Sequence, residues 1–323
     1  AMDKWIKGMM EACDGKVKAW DLVNEAISGG GDDGQGNYLL QHSTAYNPSG
    51  NPDATWDVGG DNFYWQDYLG DLNYIREACR LARKYGPSDV KLFINDYNLE
   101  GVWDITTKDG VSASKKVWSM VNWIKKWEAD GVTKIDGIGT QMHISCYENS
   151  TSQNNLKKAI TGMFQVMANS GKLVRVSEMD MGYVPNGQNQ GVAASKLTED
   201  QHKKMAEFYE WIFSEYFRLV PAAQQWGICQ WCPTDAPANS GWRASEPVGI
   251  WDLDLYRKHV YAGFVRGLNG GEPGSTNISK IEVDKNLDTS KGIYNLNGMR
   301  MSATSLDNLP SGLYIINGKK VVK

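Results

Sequence analysis

Two glutamates stand where a nearly apolar run gives way to a loop: Glu25, closing Trp20-Asp21-Leu22-Val23-Asn24-Glu25, and Glu178, in Arg175-Val176-Ser177-Glu178-Met179-Asp180. Both runs read as buried strands. An ionisable group at the C-terminal end of a parallel strand is where α/β enzymes keep their chemistry. Hydrolysis of a glycosidic bond needs such a pair, one carboxyl to protonate the leaving oxygen and one to attack or to activate water. Desolvation raises a carboxyl pKa and nearby donors lower it, so two glutamates in different surroundings can divide those roles. A strand-end glutamate can equally be a helix cap or a surface residue.

The elements that must hold these residues follow from hydrophobic spacing. Helical patterns run over 2–13, 63–85, 114–130, 156–168, from the capping box Thr198-Glu199-Asp200-Gln201 toward Pro221, and over 256–267. On the second, Leu69, Leu72, Ile75 and Cys79 share a face. Apolar strands are predicted at 17–23, 90–94, 135–140, 173–176 and 223–229. This alternation calls for a parallel sheet covered by helices, an α/β fold. The Gly-rich phosphate turn of a nucleotide-binding sheet is missing after the first strand. The Gly-, Asn- and Asp-rich stretch 28–62 is too long to be a mere connector.

After Gly267 the texture changes. Residues 269–275 have linker composition, and short alternating segments follow with turn signals at Asn297-Gly298, Pro310-Ser311-Gly312 and Asn317-Gly318. The expected division is 1–268 for the α/β part and 269–323 for a linker and a small β module. That module has no His or Cys, which suits attachment, sorting or packing better than catalysis.

Composition excludes some partners. Thirteen Trp and 15 Tyr accompany a formal net charge of −4, so nucleic acid, which calls for a basic face, is not expected. Aromatic rings suit the flat faces of sugars, although any single ring can equally be core. No stretch is apolar enough to span a membrane, and no signal peptide opens the sequence. Cys229 and Cys232 form a lone CxxC, read as buried structural thiols rather than as a metal site, with a local disulfide between them left open.

Five motifs occur in order: Trp-Asp-Leu-Val-Asn-Glu-Ala at 20–26, Phe93-Ile94-Asn95-Asp96-Tyr97-Asn98, residues 136–143 with Gln141-Met142-His143, Ser177-Glu178-Met179-Asp180, and Trp226-Gly227 with Ser240-Gly241-Trp242-Arg243. This series resembles the later strands of family 10 glycoside hydrolases, retaining endo-β-1,4-xylanases built on a TIM (β/α)8 barrel. The resemblance implies that Glu25 is the acid/base and Glu178 the nucleophile, about 5 to 5.5 Å apart. It implies that Asn24 and Gln141 contact the reacting sugar, and that Tyr97 and Asn98 border the leaving-group side. Trp226 and Trp242 should wall the cleavage subsite. His143 and Asp180 should hold the nucleophile in place and ionised, while Trp231 and Trp251 are expected in the core.

The same resemblance implies that this sequence supplies the last five strand–helix units, beginning at the helix before strand 4. Strands 1 to 3 are then expected from an upstream segment or another polypeptide, because a five-strand remnant would keep two unpaired edges. The substrate would be xylan or xylo-oligosaccharide, the location secreted or cell-surface, and no metal or cofactor is needed. A cellulase or mannanase of a related barrel, or an inactive glycan-binding fragment, remain alternatives at this point.

Overall fold

The computed structural model describes residues 1–43, 63–269, 292–295, 299–302, 305, 308–309, 313–316 and 319–322. The chain divides into two compact units, Ala1–Pro273 and Gly274–Lys323. Most of the 28–62 stretch and the turn signals at 297–298, 310–312 and 317–318 lie outside the described residues.

In the first unit, helix α1 (Met2–Ala12) precedes β1 (Ala19–Asn24). Short α2 (Trp65–Leu69) and α3 (Asn73–Tyr85) lead to β2 (Lys91–Asp96). The hairpin β3 (Ile105–Lys108) and β4 (Val111–Ser114) ends where the Ser114 hydroxyl caps α4 (Lys115–Glu128). Then come β5 (Gly137–Thr140), β6 (His143–Tyr147), α5 (Ser150–Asn169), β7 (Leu173–Val184), α6 (Glu199–Leu219), β8 (Gln225–Gln230) and α7 (His259–Leu268). The capping box at the start of α6 forms as its sequence dictates, with Thr198 and Gln201 bonding each other's backbone.

The sheet is parallel, in the order β1-β2-β5-β7 with β8 also on β7. β5 pairs β7 only as far as Val176, and β6 becomes β7's partner from Asp180 onward. The architecture is α/β, of the TIM-barrel kind, with the middle strands buried under helices as their apolar runs require. The main core gathers side chains of α4, α5 and α6 against the sheet, including Trp127, Phe164, Phe213 and Tyr216.

The expected single helix over 63–85 is two helices. Gly70 adopts φ 77° between them, a left-handed turn that breaks the spiral, and Leu69 and Leu72 are exposed while Ile75 and Cys79 are buried. β7 runs eight residues beyond the expected end at Val176, so Glu178 sits within the strand, just past where β5 stops pairing.

Burial differs sharply across the sheet. Every residue of β5 and all of β2 except Lys91 are buried, whereas neither β1 nor β8 has a fully buried residue. Among the described residues β1 pairs only with β2, and β8 only with β7. Cys229 on β8 is therefore exposed and Cys232 half-buried, both with free thiols, which corrects the burial expected from the sequence.

In the second unit, β9 (Ile293–Tyr294), β10 (Leu313–Ile316) and β11 (Lys319–Val322) form an antiparallel sheet in the order β11-β10-β9. Ile293, Leu309, Tyr314 and Ile316 make its small core.

Candidate active site

The C-terminal ends of the strands open into a cleft of about 650 Å³ lined by Asn24, Glu25, Tyr97, Asn98, Gln141, His143, Glu178, Trp231 and Trp242. Strand register brings these together. Asn24 is the partner of Asn95, and Asp96 the partner of Thr140, so the residues leaving β1, β2 and β5 emerge side by side. Each of these exits turns through a left-handed residue: Glu25 (φ 57°), Asn98 (φ 56°) and Met142 (φ 57°). Such conformations in non-glycine residues persist only where the surroundings impose them.

For Glu25 the surroundings are visible. Its N–H donates to the Asn95 carbonyl (2.8 Å), and its carbonyl accepts from Gln41 Nε2 (2.7 Å). Two residues on, the Ile27 N–H donates to Asp96 Oδ2 (2.9 Å). Asp96 is fully buried against Lys116 Nζ (2.8 Å), and that ammonium also lies 3.5 Å from the centre of the Tyr97 ring. Burial pushes the Asp96 carboxyl up to about 6 even with Lys116 opposing.

The two glutamates belong to one hydrogen-bonded chain. Gln141 Nε2 donates to Glu25 Oε1 (2.9 Å) and to Asn24 Oδ1 (3.2 Å). Asn95 Nδ2 donates to Asn24 Oδ1 (2.8 Å) and to Glu178 Oε1 (2.9 Å). The Ser177 hydroxyl fixes the other end of the Asn95 amide (2.6 Å). Gly139 leaves room for that amide, since a Cβ there would stand 2.3 Å from Asn95 Oδ1.

Behind Glu178 stands His143, its Nε2 3.4 Å from Glu178 Oε2 and its Nδ1 3.1 Å from Asp180 Oδ2. Burial opposes charge on this imidazole, but hydrogen bonding and charge from Asp180 and Glu178 outweigh it and hold the pKa above the ordinary histidine value. Asp180 has no exposed surface, and also accepts from Trp242 Nε1 (2.6 Å) and Arg243 Nη1 (2.9 Å). The Trp242 ring packs 4.7 Å from the His143 ring.

Most site residues expected from the sequence line the cleft; Asp180 lies beneath it, as a supporting residue should. Trp226 does not line it. It sits within β8 and packs on Phe93 with ring centres 5.6 Å apart. Trp231 takes the expected position, 52% exposed and 5.9 Å from the His143 ring, with its N–H bonded to the Met179 carbonyl. The reason is strand length: β8 continues to Gln230, so the residue at its mouth is Trp231, which the sequence reading assigned to the core. Trp251 packs against the core as expected. Asn95 and Arg243 were missed as site residues, although both lie inside the motifs quoted above.

The sequence profile of glycosyl hydrolase family 10 matches residues 1–266. Endo-1,4-beta-xylanase C of Paenibacillus barcinonensis is 32% identical over 82% of this chain, and Endo-beta-1,4-xylanase Xyn10C of Cellvibrio japonicus is 30% identical over 69% of it. The matched parts span 21% and 30% of those relatives' lengths. Among solved structures, xylanase 10C of Cellvibrio japonicus in complex with xylopentaose superposes with a TM-score of 0.60 at 23% identity, over 84% of this chain and 48% of that one. A family 10 structure from Paenibacillus barcinonensis gives 0.58 at 26% identity, over 83% of this chain and 66% of that one. The chain belongs to glycosyl hydrolase family 10.

Proposed function

We propose that this chain carries the catalytic pair of a retaining endo-β-1,4-xylanase acting on xylan or arabinoxylan. Glu178 is the nucleophile that forms the glycosyl–enzyme, and Glu25 protonates the departing oxygen and then deprotonates the incoming water. Asn24 and Gln141 hold the reacting sugar, and Trp231 and Trp242 wall it. One observation carries the reading: the Asn95 amide bridges Glu178 to Asn24, the neighbour of Glu25, so both carboxylates face a single sugar-sized cleft. A second hollow of about 400 Å³ adjoins it through Asn98 and His143, giving a polymer room to continue.

The reading includes a completed barrel. β1 and β8 each lack a second partner among the described residues, and an eight-stranded closure takes three more strands. A segment outside this sequence or a second polypeptide supplies them. Residues 1–268 are then the catalytic part, and 269–323 a linker and β module that serves attachment or sorting. Among the described residues no helix is long and apolar enough to cross a membrane. Secretion or cell-surface display suits a polymer too large to enter the cell.

Glu178→Ala is expected to abolish turnover, by about 10⁴-fold or more, on every substrate. Glu25→Ala is expected to lose xylan hydrolysis while sparing aryl xylosides with good leaving groups, which need no proton. Equal losses on both substrate types for Glu25→Ala would reject its role. Faster turnover of mannan or β-glucan than of xylan would reject the substrate.

A further inference from the structure

Arg243 belongs to no element of the sheet, yet its guanidinium is almost fully engaged beneath the cleft. Nη1 donates to Asp180 Oδ1 (2.9 Å) and to the Ile144 carbonyl (2.7 Å), and Nη2 donates to Ser145 Oγ (2.8 Å). Its Nε lies 3.4 Å from Glu246 Oε2. The backbone at Arg243 is left-handed (φ 47°), so the fold holds a strained conformation to aim this side chain. Room for the Glu246 carboxylate is provided as well. A Cβ on Gly182 or on Gly191 would come within 2.2 or 2.3 Å of Glu246 Oε2, a buried oxygen with no hydrogen bond of its own.

The result is a row of alternating charges, Glu246, Arg243, Asp180, His143 and Glu178, running from beneath the cleft to its floor. We propose that Arg243, backed by Glu246, is a positioning residue that sets how much negative charge Asp180 presents to His143, and so how firmly His143 holds the Glu178 carboxylate. This rests on the reading of Glu178 as the nucleophile.

The physical argument is a competition. His143 faces carboxylates through both ring nitrogens, and it grips Glu178 only while Nε2 carries a proton. Asp180 promotes that protonation. Arg243 draws on the same Asp180 carboxylate and weakens its pull on His143, while Glu246 draws Arg243 the other way. Other charges near His143 are Glu25 across the cleft and the buried Glu100, which lines the adjoining hollow together with His143 and Arg243. Neither contacts Asp180. Cys232, from the loop after β8, lies near enough to Asp180 and Arg243 to feel both charges.

The test needs no turnover. The protein has four histidines, so the imidazole of His143 can be followed by NMR in the full chain and assigned by the peak that His143→Asn removes. Arg243→Met is expected to raise the His143 midpoint by about one unit. Glu246→Gln, which keeps the shape and removes the charge, is expected to lower it by roughly half a unit. Arg243→Lys keeps the cation and should leave the midpoint within about 0.3 units of the parent. A merely structural role predicts no opposite pair of shifts. Unchanged midpoints, or shifts of the same sign, would overturn the proposal; if Arg243→Met does not fold, the sign for Glu246→Gln decides alone. Such a failure would leave the nucleophile assignment standing, because mapping of a trapped sugar adduct tests that separately.

Discussion

The middle of the sheet and its two edges hold the site in different ways. β2 and β5 are dry almost throughout; Asn95, within β2, is held by Asn24, Ser177 and Glu178, and Gln141, just past β5, by Asn24 and Glu25. β1 and β8 are half-exposed, yet they deliver Glu25 and Trp231. In the middle, close packing on all sides is added to the hydrogen bonds that hold Asn95 and Gln141. At the edge, position has to be imposed through specific polar contacts, and the carbonyl of Glu25 held by Gln41, with the Asp96–Lys116 pair bonded to the next turn, is that device.

The largest test of this contrast is paired. Phe93→Ala, in the dry middle, should cost about 3 to 5 kcal/mol in urea unfolding. Trp226→Ala, on β8 and 40% exposed, should cost about 1 kcal/mol although the ring removed is larger. Comparable losses would mean that the edge is as tightly packed as the middle.

Next comes Lys116→Met, expected to cost about 3 kcal/mol near pH 8 and less near pH 5. The sign follows from Asp96, whose carboxyl is raised to about 6 with the lysine present and must rise further without it. Near pH 5 the folded variant keeps Asp96 protonated and neutral. As pH rises, the unfolded chain, with its carboxyl near 4, gives up the proton that the folded chain must keep or lose at a cost. Unfolding curves for variant and parent should therefore diverge with pH, and parallel curves would contradict the account.

Asn95→Ala is expected to lower kcat by about 10²-fold with a smaller change in KM, since it releases Glu178 without removing a wall of the cleft. The smallest effect separates the two tryptophans. Trp231→Ala should weaken xylo-oligosaccharide binding by about tenfold, and Trp226→Ala by less than about twofold, measured by calorimetry.

How far the sequence carried the site depended on distance along the chain. Glu25 was legible as a candidate because it follows a short apolar strand, and Thr198 with Gln201 because a capping box is local, whereas His143 was expected only through the family resemblance. Trp231 was misassigned because Ile228 and Cys229 look like the end of an apolar run, while the ladder with β7 carries β8 to Gln230. The role of Asn95 depends on register across β1, β2, β5 and β7, which no single segment encodes. β6 as a further partner of β7 likewise arises from tertiary pairing, whereas the break at Gly70 is a local glycine turn that the apolar spacing on either side concealed.

The central claim is that two carboxylates work in sequence at one sugar, with Glu178 forming the covalent bond. Incubation with an activated 2-deoxy-2-fluoro xylobioside, followed by peptide mapping, tests it directly. The account predicts a single sugar adduct on Glu178 and release of products with the β configuration retained. An adduct on another residue, or products of inverted configuration, would contradict it.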